Sequence, residues 1–309
     1  MAGYFLLGPQ RPVVNLATPF GAVDDGRSVA VVSAGWQDAE ADIDDVHEIV
    51  KRPLVDLRLY QRAEAVLGSE ARLREVYRER QDRLQEQQRL YRLRLRQSML
   101  AARRLLRADG DPAILEPEQR HAISQQRALD RHHLQRISAI HGDADSAIAD
   151  IRPPTLTEHI AEIADVLSGC VTVIITGGNV AVLLNRLRLF SLGPLLAQKN
   201  IIAWSAGAMV LADKVVLFHD NTPQGNRDAE VFDVGLGIVN DFVFLPDVKH
   251  RLDLSDKVRT ALFCRRFAPA TCLTLDSGSL LHYEGGHVAA AHGVRRLSRT
   301  GTLRRMRAR

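Results

Sequence analysis

Residues 171–176, VTVIIT, are six β-branched side chains in a row, and Gly177-Gly178-Asn179 follows at once. Such side chains are stiff at χ1 and favour an extended backbone. A run without polar alternation suits a strand covered on both faces, as in a parallel sheet. Covering both faces takes helices, and the flanking sequence supplies them. Residues 155–170 carry Ile160, Ile163 and Leu167 at helical spacing, with Thr155 or Thr157 as a cap, and 180–198 is helical in pattern. A second short apolar run, IIAW at 201–204, leads into SAGAMVLAD, which again looks helical. A strand–glycine–helix step that recurs at this spacing is the signature of an α/β fold.

The rest of the chain divides around that unit. Residues 13–18 and 28–35 read as two strands joined by a turn at Asp24, Asp25 and Gly26. Six acids between Asp38 and Glu48 open a helix that closes near Pro53, and acids suit a helix start. Residues 57–106 are rich in Leu, Arg, Gln and Glu. They predict a helix to Leu67, a break at Gly68–Ser69, and a long helix to Arg107 that ends at the GDP turn of 110–112. A second helix over 116–140 completes a long hairpin, with 142–154 as a linker or a short helix stopped by two prolines. Arginines on a solvated face are the plain reading of this module, and docking or dimerisation is the sharper one. Downstream come KVVLFHD at 214–220, a polar loop, one or two strands within 234–247, and a helix at 255–267 capped by Ser255. A meander with turns at 276–278 and 284–286 follows. The last fifteen residues hold seven arginines, read as a short strand and a basic tail. The expected division is 1–55 as the first part of an α/β domain, 56–140 as a helical insertion, 141–294 as the main part, and 295–309 as the tail.

Composition narrows the function classes. Of 309 residues, 46% are hydrophobic and 25% charged, which excludes a disordered chain or a fibre. The formal charge is only +4, and aromatics are 5%, too few for a nucleic-acid stacking platform. Acids interleave with the arginines of the helices, so nucleic acid is not an expected partner. Cys170, Cys264 and Cys272 match neither a disulfide framework nor a zinc site, and read as small core residues. His121, His132 and His133 lack the spacing of a metal pair. No apolar run is long enough to cross a membrane, and the expected compartment is the cytoplasm.

Ser205 stands after the 201–204 strand among Ala206, Gly207 and Ala208, small residues that let a chain turn sharply and expose a serine hydroxyl. The glycine pattern of such an elbow is met on one side only, since Ala203 stands where the first glycine would. An ordinary helix cap is the competing reading. Gly178 and Asn179 follow what should be the neighbouring strand. The Asn179 and Ala206 N–H groups are the candidate oxyanion donors. A tight turn would need the same glycines. A nucleophilic serine needs a base and an orienting acid. His250 and Asp220 sit at plausible rim positions. His219, next to Asp220, would point the other way unless the strand has already ended.

The ordered set Thr176-Gly177-Gly178-Asn179, Trp204-Ser205-Ala206-Gly207-Ala208, Asp220, Gly235-Leu236-Gly237-Ile238 and 246–252 (PDVKHRL) resembles the peptidase S51 family. Its dipeptidase E and cyanophycinase relatives belong to the class I glutamine amidotransferase-like superfamily. The resemblance covers about 155–285, with 13–35 fitting the start of the same domain. It implies a flavodoxin-like three-layer sandwich with a mostly parallel sheet, to which the long helical hairpin is an insertion. It implies hydrolysis of a peptide bond next to aspartate, with Ser205 as nucleophile, Asp220 as acid, and Gly178 or Asn179 with Ala206 at the oxyanion. At the place of the family histidine the register allows either His250 or Asp247. Asp247 there would leave a binding or assembly protein working through its helices. Trp204, bulkier than the usual residue, would narrow the pocket or stack on a ligand. Arg251 and Arg186 are candidates for a substrate carboxylate. The expected substrate is a small peptide or amide, with no cofactor and no metal. A homo-oligomer, formed through the hairpin, is the expected assembly. TGGN lacks the third spaced glycine of a dinucleotide site, and no cysteine lies at the elbow, which disfavours thiolate glutaminase chemistry.

Overall fold

A computed structural model describes residues 2–220 and 228–308. The strands are β1 (Gly3–Leu7), β2 (Val29–Val32), β3 (Leu54–Asp56), β4 (Thr172–Ile175), β5 (Asn200–Trp204), β6 (Lys214–Leu217), β7 (Glu230–Val234), β8 (Phe242–Pro246), β9 (Thr271–Leu275), β10 (Leu280–Glu284), β11 (His287–His292), β12 (Arg295–Leu297) and β13 (Leu303–Arg305). Seven form the main sheet in the order β11-β10-β1-β5-β4-β2-β3. Its β1, β5, β4, β2 and β3 run parallel, while β10 and β11 are antiparallel. A smaller sheet has the order β13-β12-β9-β8, and β6 pairs with β7.

The helices are α1 (Ala17–Val23), α2 (Asp44–Val50), α3 (Leu59–Ser69), α4 (Ala71–Arg107), α5 (Pro112–Ile151), α6 (Pro154–Gly169), α7 (Val180–Leu189), α8 (Gly193–Leu196), α9 (Ala206–Val210), α10 (Val248–Arg251) and α11 (Lys257–Phe267). The β-branched run explains the layering. Along β4, Val173 and Ile175 join the core that contains Ile163 and Leu167 of α6 and Leu183 and Leu187 of α7. Ile174 points the other way, to Phe20, Val46 and Val50 of α1 and α2. Successive side chains alternate between faces, so a strand buried on both sides needs apolar residues at every position. Each fully buried Val or Ile contributes about 1.5–3 kcal/mol.

Of the two readings of 142–154, the structure has the helical one: α5 continues through 142–151 without a break and stops before Pro153 and Pro154. Most arginines of α4 lie on an exposed face, as expected, and three of them reach carboxylates of the body. Arg92 pairs with Glu230 at 2.5 Å, Arg107 with Asp256 at 2.7 Å, and Arg103 with Asp228. Between hairpin and body lies a buried polar cluster. Arg266 donates to both Asp130 oxygens at 2.7 Å, to Tyr91 Oη at 2.7 Å and to the Ala229 carbonyl at 2.6 Å. His133 stacks on Tyr91, with centroids 3.8 Å apart, and its Nε2 lies 2.8 Å from Gln88 Oε1. Hairpin and body thus share one interior.

Three local expectations are corrected. Residues 13–16 are irregular and Ala17 starts a helix, so the first strand is β1, ten residues earlier than 13–18 suggested. Its apolar run is only five residues long, which made it easy to pass over. Asp256, not Ser255, caps α11 by accepting from Arg259 N. The expected meander is split between sheets, since β9 pairs with β8 and β10 with β1.

Candidate active site

Strand β5 ends at Trp204, and α9 begins at Ala206. Between them Ser205 adopts φ 51° and ψ −114°. A non-glycine residue in that region costs on the order of 1–3 kcal/mol and persists where the surroundings enforce it. Here Ser205 N donates to Leu7 O at 3.1 Å, and Ser205 O accepts from Met209 N at 3.1 Å. Gly207 lets the turn press on the next strand. A Cβ at Gly207 would lie 2.4 Å from Ile175 O and 2.7 Å from Thr176 O. The helix can therefore start directly over the end of β4. Among the described residues no hydrogen bond engages the Ser205 hydroxyl, which faces the solvent-accessible wall of a cavity.

Parallel pairing aligns Ile175 with Ala203, which sets the Gly177-Gly178 turn beside Ser205. Gly178 has φ +104°, and a Cβ there would sit 2.3 Å from Gly35 O. The tight approach consumes one expected donor: Asn179 N–H goes to Gly35 O at 2.7 Å. The Asn179 side chain caps α7 by accepting from Ala181 N and Val182 N. Asn179 is thus a structural residue in this geometry. Gly178 N and Ala206 N have no backbone acceptor among the described residues.

Two cavities meet at Ser205 and Gly178. One, of about 540 Å³, carries His219, Asp228, Glu230, Asp247 and Arg251 on its wall beside Met209, Leu217 and Phe218. The other, of about 440 Å³, lies across the turn between Trp36, Trp204, Leu16, Val46 and Ile49. Trp204 lines this apolar cavity.

The expected base and acid are placed differently. His250 has 80% of its side chain exposed on α10 and is absent from the wall of either cavity. Its Nδ1 lies 2.5 Å from Asp247 Oδ1. Of the two residues the register allowed, Asp247 reaches the cavity. It follows β8 directly, in the left-handed conformation with φ 58°. Asp220 is buried and held by Arg259 at 2.5 Å and by Asp253 N at 2.9 Å. Burial raises its pKa, against the pull of Asp253 N and Arg259. Its own N–H donates to Arg251 O at 2.7 Å, so it anchors the segment that carries Asp247 and Arg251. No histidine contacts it among the described residues. The strand β6 has already ended at Leu217, the condition under which His219 need not point away, and His219 joins Ser205 on the wall of the first cavity.

The sequence model of peptidase family S51 matches residues 128–291, just over half of the 309. The chain belongs to peptidase family S51. No curated protein matches this sequence. Among solved structures the chain is similar to the crystal structure of a peptidase from an acI-B1 Actinobacterium. That similarity has 11% sequence identity and a TM-score of 0.48, and it covers 100% of this chain and 95% of that one.

An S51 peptidase domain is consistent with hydrolase activity, and the matched segment includes Gly178, Ser205, Asp220, Asp247 and His250. Gly35, Trp36 and Pro9 lie outside it, and sequence reasoning did not assign them to the site. One signal was present: Ser33-Ala34-Gly35 after β2 repeats the Ser205-Ala206-Gly207 step after β5. Arg186 is buried in a structural role, with Glu64 at 2.7 Å and Tyr77 Oη at 2.8 Å. Among the described residues no group of His, Cys, Asp and Glu is placed to hold a metal ion. None of their helices is long and apolar enough to cross a membrane.

Proposed function

We propose that this member of peptidase family S51 is a serine-dependent hydrolase of a peptide or amide bond. Ser205 Oγ attacks the carbonyl carbon, and the N–H groups of Gly178 and Ala206 receive the oxyanion. The C–N bond breaks as the leaving amine takes the proton, and water then clears the acyl-enzyme. The observation that carries this reading is the backbone of Ser205: a positive φ at a non-glycine residue, next to two uncommitted amides at the junction of two cavities. His219 takes the serine proton, being the histidine on that wall. Asp247 and Arg251 meet the polar side of the substrate, and the Trp36–Trp204 cavity its apolar side.

A fluorophosphonate probe tests this. The wild-type chain is expected to label and Ser205→Ala to stay blank, with hydrolysis at least about 10³-fold down. His219→Gln is expected to slow labelling by about 10²-fold or more, while His250→Gln stays within about threefold. Asp247 on the wall in place of a histidine favours a second reading, in which the fold binds its ligand without turnover. Folded wild-type protein that does not label establishes that second reading.

A further inference from the structure

The last strands form a second concave surface far from Ser205 in sequence and sharing no residue with its cavities. Strands β12 and β13 pair antiparallel, and their register sets Arg295 opposite Arg305 and Arg296 opposite Arg304. Like charges directly opposite one another in a β-pair repel. No carboxylate among the described residues pairs with them: Arg296, Arg304, Arg305 and Arg307 are all exposed and take part in none of the ion pairs. All four line a cavity of about 640 Å³, together with Tyr283 and His287. Asp241 is the one carboxylate on that wall among the described residues. What sets these arginines apart is their placement: the facing pair Arg296–Arg304, with Arg305 and Arg307, lines one cavity.

We propose that this arginine-lined cavity binds a small ligand carrying a chain of phosphates. A guanidinium presents a planar fork that matches phosphate oxygens two at a time, and cross-strand neighbours about 5 Å apart can converge on one phosphate. Arg296 and Arg304 would take one phosphate, and Arg305 and Arg307 on the same wall the next. The cavity has the size of a site for a nucleotide-sized molecule. The same chemistry comes from an inorganic polyphosphate or from a nucleoside triphosphate, whose base would lie on Tyr283 and His287.

Calorimetric titration of the full chain with sodium tripolyphosphate, ATP and sodium sulfate tests the proposal at low salt, where charge-driven binding is strongest. Tripolyphosphate is expected to bind with a Kd below about 1 mM and at least tenfold more tightly than sulfate. The double variant Arg296→Gln/Arg304→Gln is expected to lose at least tenfold in that affinity. Its melting temperature should equal or exceed that of the wild type, because the facing charges repel. Equal affinities for tripolyphosphate and ATP identify the phosphate chain as the whole determinant, and tighter ATP adds the ring contacts. The proposal is overturned by no tripolyphosphate binding at that concentration, by sulfate binding equally well, or by undiminished binding in the double variant. Binding of a single-stranded oligonucleotide without tripolyphosphate binding overturns it as well. Fluorophosphonate labelling of Ser205 is independent of each of these results.

Discussion

Ser205 holds its strained conformation because Gly207 allows the backbone behind it to touch β4. Replacing Gly207 with Ala would force a Cβ to within 2.4 Å of Ile175 O, with backbone rather than a flexible side chain in the way. The expected loss is about 3 kcal/mol or more, read from chemical denaturation. A milder change tests the structural role of the Asn179 side chain. It caps α7, while the Asn179 N–H is committed to Gly35 O. Asn179→Ala should therefore cost about 1 kcal/mol of stability and leave the labelling rate of Ser205 within about twofold. A labelling rate that falls tenfold in the folded variant would contradict a purely structural role for that side chain. The small residues of the elbow were legible in the sequence, because close backbone approach leaves a compositional trace. The base was not, because the left-handed turn at Asp247 sends His250 outward and spacing alone carries no such rotation.

The helical hairpin shows what periodicity can and cannot convey. Two long helices broken by the 110–112 turn were readable from helix formers and punctuation. The face they bury was not, because polar side chains interrupt its apolar stripe: Gln88, Gln126, Asp130 and His133 are buried among Leu95, Met99, Leu129 and Ile137. Asp130 keeps the buried Arg266 paired, so Asp130→Ala should cost about 3–5 kcal/mol by leaving an uncompensated buried charge. A loss under about 1 kcal/mol in urea denaturation would contradict that account. His133 gives the hairpin a pH dependence. Burial lowers its pKa from 6.5 to about 4, against the opposing Val231 carbonyl and the carboxylates of Asp130, Asp233 and Glu230. The folded chain keeps this imidazole neutral while the unfolded chain protonates it. Its contribution is whole above pH 6.5 and shrinks as the pH falls from 6.5 toward 4. The expected loss across that window is on the order of 2 kcal/mol, and His133→Gln should flatten that part of the stability–pH curve.

Over the whole molecule, the parallel sheet gathers the ends of β4 and β5 at one edge, and the elbow and the Gly177-Gly178 turn meet there. The hairpin completes the same site from outside. Arg92 and Arg103 of α4 hold Glu230 and Asp228, which stand on the wall of the first cavity with Ser205. The fold class was readable from the strand–glycine–helix steps, but this coupling joins residues more than a hundred positions apart and no local pattern encodes it. The most direct measurement is a crystal structure of the chain after reaction with a fluorophosphonate. The account predicts a phosphonyl group on Ser205 Oγ with its oxygen about 2.7–3.1 Å from both Gly178 N and Ala206 N, and Asn179 N still on Gly35 O. An unmodified Ser205 in well-ordered, reacted crystals, or an adduct whose oxygen meets neither amide, would contradict it.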